Sequence, residues 1–290
     1  MNLILISLIT LGLVGAISAV ILFFTAKKFH VFEDSRIDVV EEALPSANCG
    51  GCGFPGCRAF AEACVKAESM EGLNCPVGGA PVMENVANIL GRVPVIAEPT
   101  VAVVRCGGTC EHRPRMNEYD GVKHCFIAHN LYSGETGCSF GCLGLGDCEV
   151  SCEFDAIKVN PETKLPEVDE EKCTSCGACV KACPKLLIEL RKKGPKSRRI
   201  YVSCRNEDRG PIAKKSCDVS CIACGKCEKV CPHEAITITN NLAFIHDDKC
   251  KLCRKCVEVC PTNAIVELNF PPRKPKVEAP STPVAEPVEA

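Results

Sequence analysis

Two cysteine runs near the C-terminal end carry the clearest chemistry in the chain. They read Cys221-x2-Cys224-x2-Cys227-x3-Cys231-Pro232 and Cys250-x2-Cys253-x2-Cys256-x3-Cys260-Pro261. Four thiolates match the four irons of a [4Fe–4S] cube. The tight spacings let one loop hold three corners, and in runs of this form the fourth Cys ligates the neighbouring cluster. The pattern therefore assigns Cys221, Cys224, Cys227 and Cys260 to one cluster, and Cys250, Cys253, Cys256 and Cys231 to the other. Pro232 and Pro261 end each ligand loop and fix the backbone as it leaves. Glu234-Ala235-Ile236 and Asn263-Ala264-Ile265 follow in parallel, so the unit is an internal duplication. A zinc site or a disulfide knot is the bland alternative. Two matched four-Cys runs, each with a trailing Pro, speak against it.

A second two-cluster ferredoxin pattern lies upstream. Cys173-x2-Cys176-x2-Cys179-x3-Cys183-Pro184 is regular. Before it, Cys138-x3-Cys142-x5-Cys148-x3-Cys152 is stretched by Gly141 and Leu143–Asp147 and has Glu153 where the Pro should be. It still ends in Phe154-Asp155-Ala156-Ile157, so it reads as a degenerate copy. The crossing rule groups Cys138, Cys142 and Cys148 with Cys183, and Cys173, Cys176 and Cys179 with Cys152. Another site comes from Asn48-Cys49-Gly50-Gly51-Cys52-Gly53-Phe54-Pro55-Gly56-Cys57 together with Cys75-Pro76, whose glycines let backbone N–H groups approach the sulfurs of Cys49, Cys52, Cys57 and Cys75.

The remaining cysteines are sorted by elimination. Val101–Cys106 and Ile200–Cys204 both read as buried strands ending on Cys, with Cys125 and Cys217 unassigned nearby. Cys106, Cys125, Cys204 and Cys217 are thus expected to form one more site, for which Cys110 competes. The total is five [4Fe–4S] clusters and a sixth. Cys64 falls on the apolar side of a helix expected over Arg58–Ser69 and reads as a core residue. His124 and His129 flank Cys125; imidazole ligation occurs in iron–sulfur proteins, but an ordinary polar role is the better reading.

These groups need elements to hold them. Leu3–Phe24 has no charge and is followed at once by Lys27 and Lys28. Its 22 residues span roughly 33 Å as a helix, enough for a bilayer core. The positive-inside rule puts the N-terminus outside and the rest in the cytoplasm, with the chain held in the inner membrane. A cleaved signal peptide would want a basic leading region and a shorter apolar run. Phe32–Pro45 reads as a polar helical stalk, Val82–Thr100 as a linker broken by Pro94 and Pro99, and Pro271–Ala290 as a disordered tail. The expected class is α+β. Residues 1–28 are a transmembrane anchor and 29–90 a small N-terminal 4Fe–4S domain. Residues 91–132 form a strand-containing linker domain with 195–217. Residues 133–194 and 215–269 are tandem ferredoxin-like two-cluster units, and 270–290 a tail.

Composition agrees. The chain has 26 Cys, 3 Tyr and no Trp in 290 residues, so much of its folding free energy must come from metal binding. The secreted disulfide scaffolds that are equally Cys-rich are short. Net charge is −2, and basic residues are dispersed except at Arg191–Lys193 and Lys196–Arg199, which gives no sign of nucleic-acid binding. Gly141-x2-Gly144-x-Gly146 sits inside a ligand loop, so no nucleotide fingerprint is read, and no acid–base constellation stands out. A cube with thiolates on all four irons has no open position for a substrate. Several along one chain make a wire.

The single anchor, the Asn48–Cys57 loop with Cys75-Pro76, and the tandem runs together resemble the B subunits of Rnf ion-translocating electron transport complexes. The Cys138–Cys148 stretch is similar to their long, multi-cluster form, and the likeness covers the chain except its tail. The resemblance implies a protein that takes electrons from reduced ferredoxin within a complex that reduces NAD and moves Na⁺ or H⁺. It implies A, C, D, E and G subunits as partners, with the flavins and the NAD site on them and no turnover site on this chain. A different class of role comes from a related membrane complex that keeps an iron–sulfur transcription sensor reduced, whose B subunit is also similar.

Overall fold

The computed structural model describes residues 3–28, 34–95, 98–131 and 134–272. Residues 273–290, nearly all of the expected tail, lie outside them, as does Phe32 at the start of the expected stalk. The chain opens with α1 (Leu3–Lys28), apolar on every side and unburied. Ser7–Thr25 is long and apolar enough to cross a membrane.

Three short helices follow: α2 (Arg36–Ala43), α3 (Cys57–Lys66) and α4 (Gly79–Leu90). Ile37 and Val40, Phe60, Ala61, Cys64 and Val65, and Met83 and Val86 close a common core. Burying side chains such as Phe60 and Met83 contributes about 1.5–3 kcal/mol each, which sustains helices too short to be stable alone. The expected linker is therefore half helix. Met83, Val86 and Ala87 form a buried stripe at helical spacing, and Gly91 ends α4 in the left-handed region at φ 66°. Pro94 and Pro99 act only after that stop.

Beyond residue 98 the order is β1 (Thr100–Val104), α5 (Cys125–Leu131), α6 (Asp147–Val150), β2 (Ile157–Val159), β3 (Pro166–Val168), α7 (Ala178–Ala182) and β4 (Ile188–Lys192). Then come β5 (Arg199–Val202), α8 (Gly210–Ser216), α9 (Lys226–Val230), β6 (Ile236–Thr239), β7 (Leu242–Ile245), α10 (Lys255–Glu258) and β8 (Ile265–Leu268). All pairing is antiparallel and the nesting occurs twice. β1 pairs with β4 around the β2–β3 hairpin, and β5 pairs with β8 around β6–β7. The strands expected in a separate linker domain thus close the two halves. Each is followed by a long insertion before the ligand run, at 105–137 and 203–220.

Buried arginines join the halves. Arg191 of β4 donates to the Ile245 carbonyl of β7 at 2.8 Å, and Arg105 Nε donates to the Val202 carbonyl of β5 at 3.3 Å. Both guanidinium groups lie 5.0 Å from the Phe244 ring centre and both pair with Glu189. A buried cation is tolerated when paired and hydrogen-bonded in this way.

Candidate iron–sulfur centres

Each ligand run turns on one backbone device. The residue before the short helix that carries the third Cys is left-handed: Gly146 before α6, Gly177 before α7, Gly225 before α9 and Arg254 before α10. This reversal directs the third thiol, from Cys148, Cys179, Cys227 or Cys256, inward, and all four are buried. The fourth Cys of three runs then accepts a backbone N–H four residues on. Ala156 donates to Cys152, Leu187 to Cys183 and Ala235 to Cys231, at 3.3 to 3.4 Å.

In the last unit the thiols gather as the crossing rule expects. Cys221, Cys224, Cys227 and Cys260 line one cavity. Burial, aided by Cys250, Cys253 and Cys231 nearby, pushes the Cys256 thiol up to about 12. Upstream, Cys152, Cys173, Cys176 and Cys179 line a second cavity. In the N-terminal module, Cys52 and Cys57 lie close enough to Cys75 to add to the upward shift that burial gives it, and Gly78 N–H donates to its sulfur at 3.4 Å. Asn48 Oδ1 accepts the Cys57 N–H at 2.8 Å and so fixes the loop carrying Cys49 onto α3.

Two groups depart from the expected sets. One cavity is lined by Cys125, Cys142, Cys148 and Cys183, and another by Cys106, Cys138, Cys204 and Cys217. Cys125 and Cys138 have changed places. Counting back from Cys148 explains it. The regular spacing puts ligands at 142, 145 and 148, and position 145 is Leu. In that count the run has no Cys at its second position, and Cys125 of α5 lines the same cavity. Burial pushes its thiol up, against hydrogen bonds from the backbone of Asp147 and Leu145. Asp147 holds α5 there by accepting the Cys125 and Phe126 N–H groups at 2.8 and 3.1 Å and pairing with His124 at 2.8 Å. Cys138 is thereby free to face Cys106.

Each of the four cavities is lined by four thiols, the number a [4Fe–4S] cube takes. Burial raises the Cys148, Cys179 and Cys204 thiols to about 12, so the metal-free groups are neutral and lose protons on loading. Cys110 is exposed and donates to the Thr163 carbonyl at 3.6 Å, away from the central cavity. Cys64 is fully buried in the helical core, its thiol raised to about 11 by burial. His129 is exposed and His124 serves Asp147.

The comparisons with known proteins follow this layout. A 4Fe-4S dicluster domain family matches residues 137–208 and 220–264, and a family described as a putative Fe-S cluster matches 44–77. The chain is 48% identical over 249 residues to the B subunit of the Na(+)-translocating ferredoxin:NAD(+) oxidoreductase complex of Acetobacterium woodii, across 86% of this chain and 73% of that one. The chain belongs to the family of B subunits of Rnf-type ion-translocating oxidoreductase complexes. The proton-translocating counterpart of Clostridium ljungdahlii is 40% identical over 84% of this chain and 85% of its own. The B subunit of the ion-translocating oxidoreductase complex of Methanosarcina acetivorans is 40% identical over 84% of this chain and 90% of its own. As a family member the chain is an iron–sulfur electron-transfer subunit of an ion-translocating oxidoreductase complex.

Proposed function

We propose that this subunit takes electrons from reduced ferredoxin and passes them along six [4Fe–4S] centres in one unbranched file. The receiving A, C, D, E and G subunits carry the flavin and NAD sites, and the complex couples NAD reduction to Na⁺ or H⁺ movement. When bound, each cube gains and releases one electron at a time. The observation that carries the reading is that each thiol group has the next within electrostatic reach. Cys227 lies beside Cys256, Cys204 beside Cys221, Cys142 beside Cys106 and Cys179 beside Cys148, each pair close enough for charge on one to raise the pKa of the other. Gly51 then packs on Cys176, where an added Cβ would lie 2.8 Å from the carbonyl oxygen. Glycine at 51 is what lets the N-terminal loop come that near.

The two ends differ in ways that support a direction. The N-terminal group is the one nearest α1 along the chain, and so the end assigned to the membrane side. At the other end Cys253 is exposed, and Lys249, Lys251 and Lys255 are exposed around it. These lysines outnumber the exposed Asp247 and Asp248 beside them, a balance that favours an acidic carrier such as ferredoxin through electrostatic steering. That related subunits serve Na⁺ and proton complexes alike fits a chain that handles electrons and leaves the ion to its partners.

Anaerobically purified protein is expected to hold about 24 irons and as many sulfides, four per cube. Reduced ferredoxin should bleach its visible absorbance. An iron content near four, or no reduction by ferredoxin, would overturn the reading. The anchor gives a separate expectation. Lys27 and Lys28 should keep the C-terminus in the cytoplasm, so a C-terminal reporter active only in the periplasm would refute the orientation.

A further inference from the structure

We infer that the central site, lined by Cys106, Cys138, Cys204 and Cys217, lies at a higher potential than the centres on either side of it, and that Arg113 and Ser220 set it there. The inference rests on the ligand sets proposed above. Arg113 is 4% exposed and runs between two cavities. Its stem lies against Gly108, where an added Cβ would be 3.1 Å from Cδ, and its Nη1 donates to the Cys142 carbonyl at 2.6 Å. Its Nε is buried and has no partner. Ser220, 1% exposed, lines the same cavity and its Oγ is also buried without a partner. A buried donor left unpaired is costly, most of all on a cation, so two in one cavity call for an anionic acceptor there. Cluster sulfur supplies one. Asn206 already donates from Nδ2 to the Cys138 sulfur at 3.5 Å and from its backbone to the Cys204 sulfur at 3.4 Å.

The neighbouring cavities lack an unpaired buried cation; Thr174 Oγ1, unpaired in the cavity of Cys152, is neutral. Neither the one lined by Cys152, Cys173, Cys176 and Cys179 nor the one lined by Cys221, Cys224, Cys227 and Cys260 has a charged side chain in its wall. The cavity of Cys125 and Cys142 has one of each sign, Asp147 and Lys185. The central wall has three cations, Arg105, Arg113 and Arg205, and no carboxylate. A cube with four thiolates goes from a net charge of about −2 to about −3 on gaining an electron. Burial opposes that extra charge, and of these four cavities only the central one offsets it with an excess of fixed cations. The step is a one-electron transfer in which a flanking centre loses the electron that the central one gains, with no proton moved. Placed between the two halves, such a centre draws electrons out of the ferredoxin-facing half and holds one until the membrane-facing half is oxidised.

The test is an EPR-monitored redox titration of the full chain. Cys217→Ala identifies the central signal as the one lost along with its iron. In wild type that signal should appear before those of the two flanking centres as the potential is lowered. Arg113→Met should move it to a more negative potential while the other signals stay, Arg113→Lys should restore part of the shift, and Ser220→Ala should move the same signal by less. If Arg113→Met loses iron, Ser220→Ala and Arg113→Lys carry the test. A central signal that titrates below either flanking one, or one unmoved by these changes at full iron content, overturns the inference while leaving the file intact. If Cys217→Ala loses no iron, the site itself is absent and the inference falls with it.

Discussion

A chain truncated after Ile245 is expected to lose both C-terminal clusters rather than one. Cys260 completes the group of Cys221, Cys224 and Cys227, and they line one cavity. Cys231 lies instead with Cys250, Cys253 and Cys256. Each half thus depends on the other for its fourth thiolate. The truncation also removes β8, the only strand paired with β5 among the described residues, and with it the support of Val202 and Cys204. Because metal binding is part of the folding free energy, the drop should be at least about eight irons, two cubes of four. Cys231→Ala is the milder version. It should leave the cube of Cys221 nearer intact and convert its neighbour into a [3Fe–4S] centre with its own EPR signature. A truncated protein that loses only about four irons and keeps a stable cube on Cys221, Cys224, Cys227 and Cys231 would falsify the crossed assignment.

Cys138→Ser and Cys125→Ser should each cost about four irons, but from different cubes. Paired with Cys204→Ala they separate. Cys138→Ser with Cys204→Ala strikes one cube twice, so the double variant should lose no more iron than either single. Cys125→Ser with Cys204→Ala strikes two cubes and should lose about eight. The grouping expected from spacing gives the reverse pattern. The functional effect should be equally large. With the central cube gone, ferredoxin should still reduce the C-terminal half, while the centres of Cys173–Cys183 and Cys49–Cys75 stay oxidised in rapid-mixing EPR. Rapid reduction of those two centres in Cys138→Ser would mean that electrons have another route.

Much of this protein was legible in its residues. The runs at Cys173–Cys183 and Cys221–Cys260 declare their chemistry because three ligands of each cube sit in one tight loop, and a tight loop leaves its spacing in the sequence. The uncharged Leu3–Phe24 span declares a possible membrane helix for a similar reason, since length and apolarity are properties of the segment alone. The β1 and β5 strands could be read from their composition, but not their partners, because pairing depends on where β4 and β8 come to lie. The grouping of the remaining thiols depends on the fold. Leu145 stands where regular spacing would put a Cys, and Asp147 caps α5 so that Cys125 lines the cavity of Cys142, Cys148 and Cys183. A thiol delivered by a separate loop has no fixed offset from the others, so counting along the sequence groups Cys138 there instead. The same holds for Arg105 and Arg113. Their burial against the central cavity is a product of packing between two halves, and nothing in the local sequence marks an arginine as one that will meet a cluster rather than water.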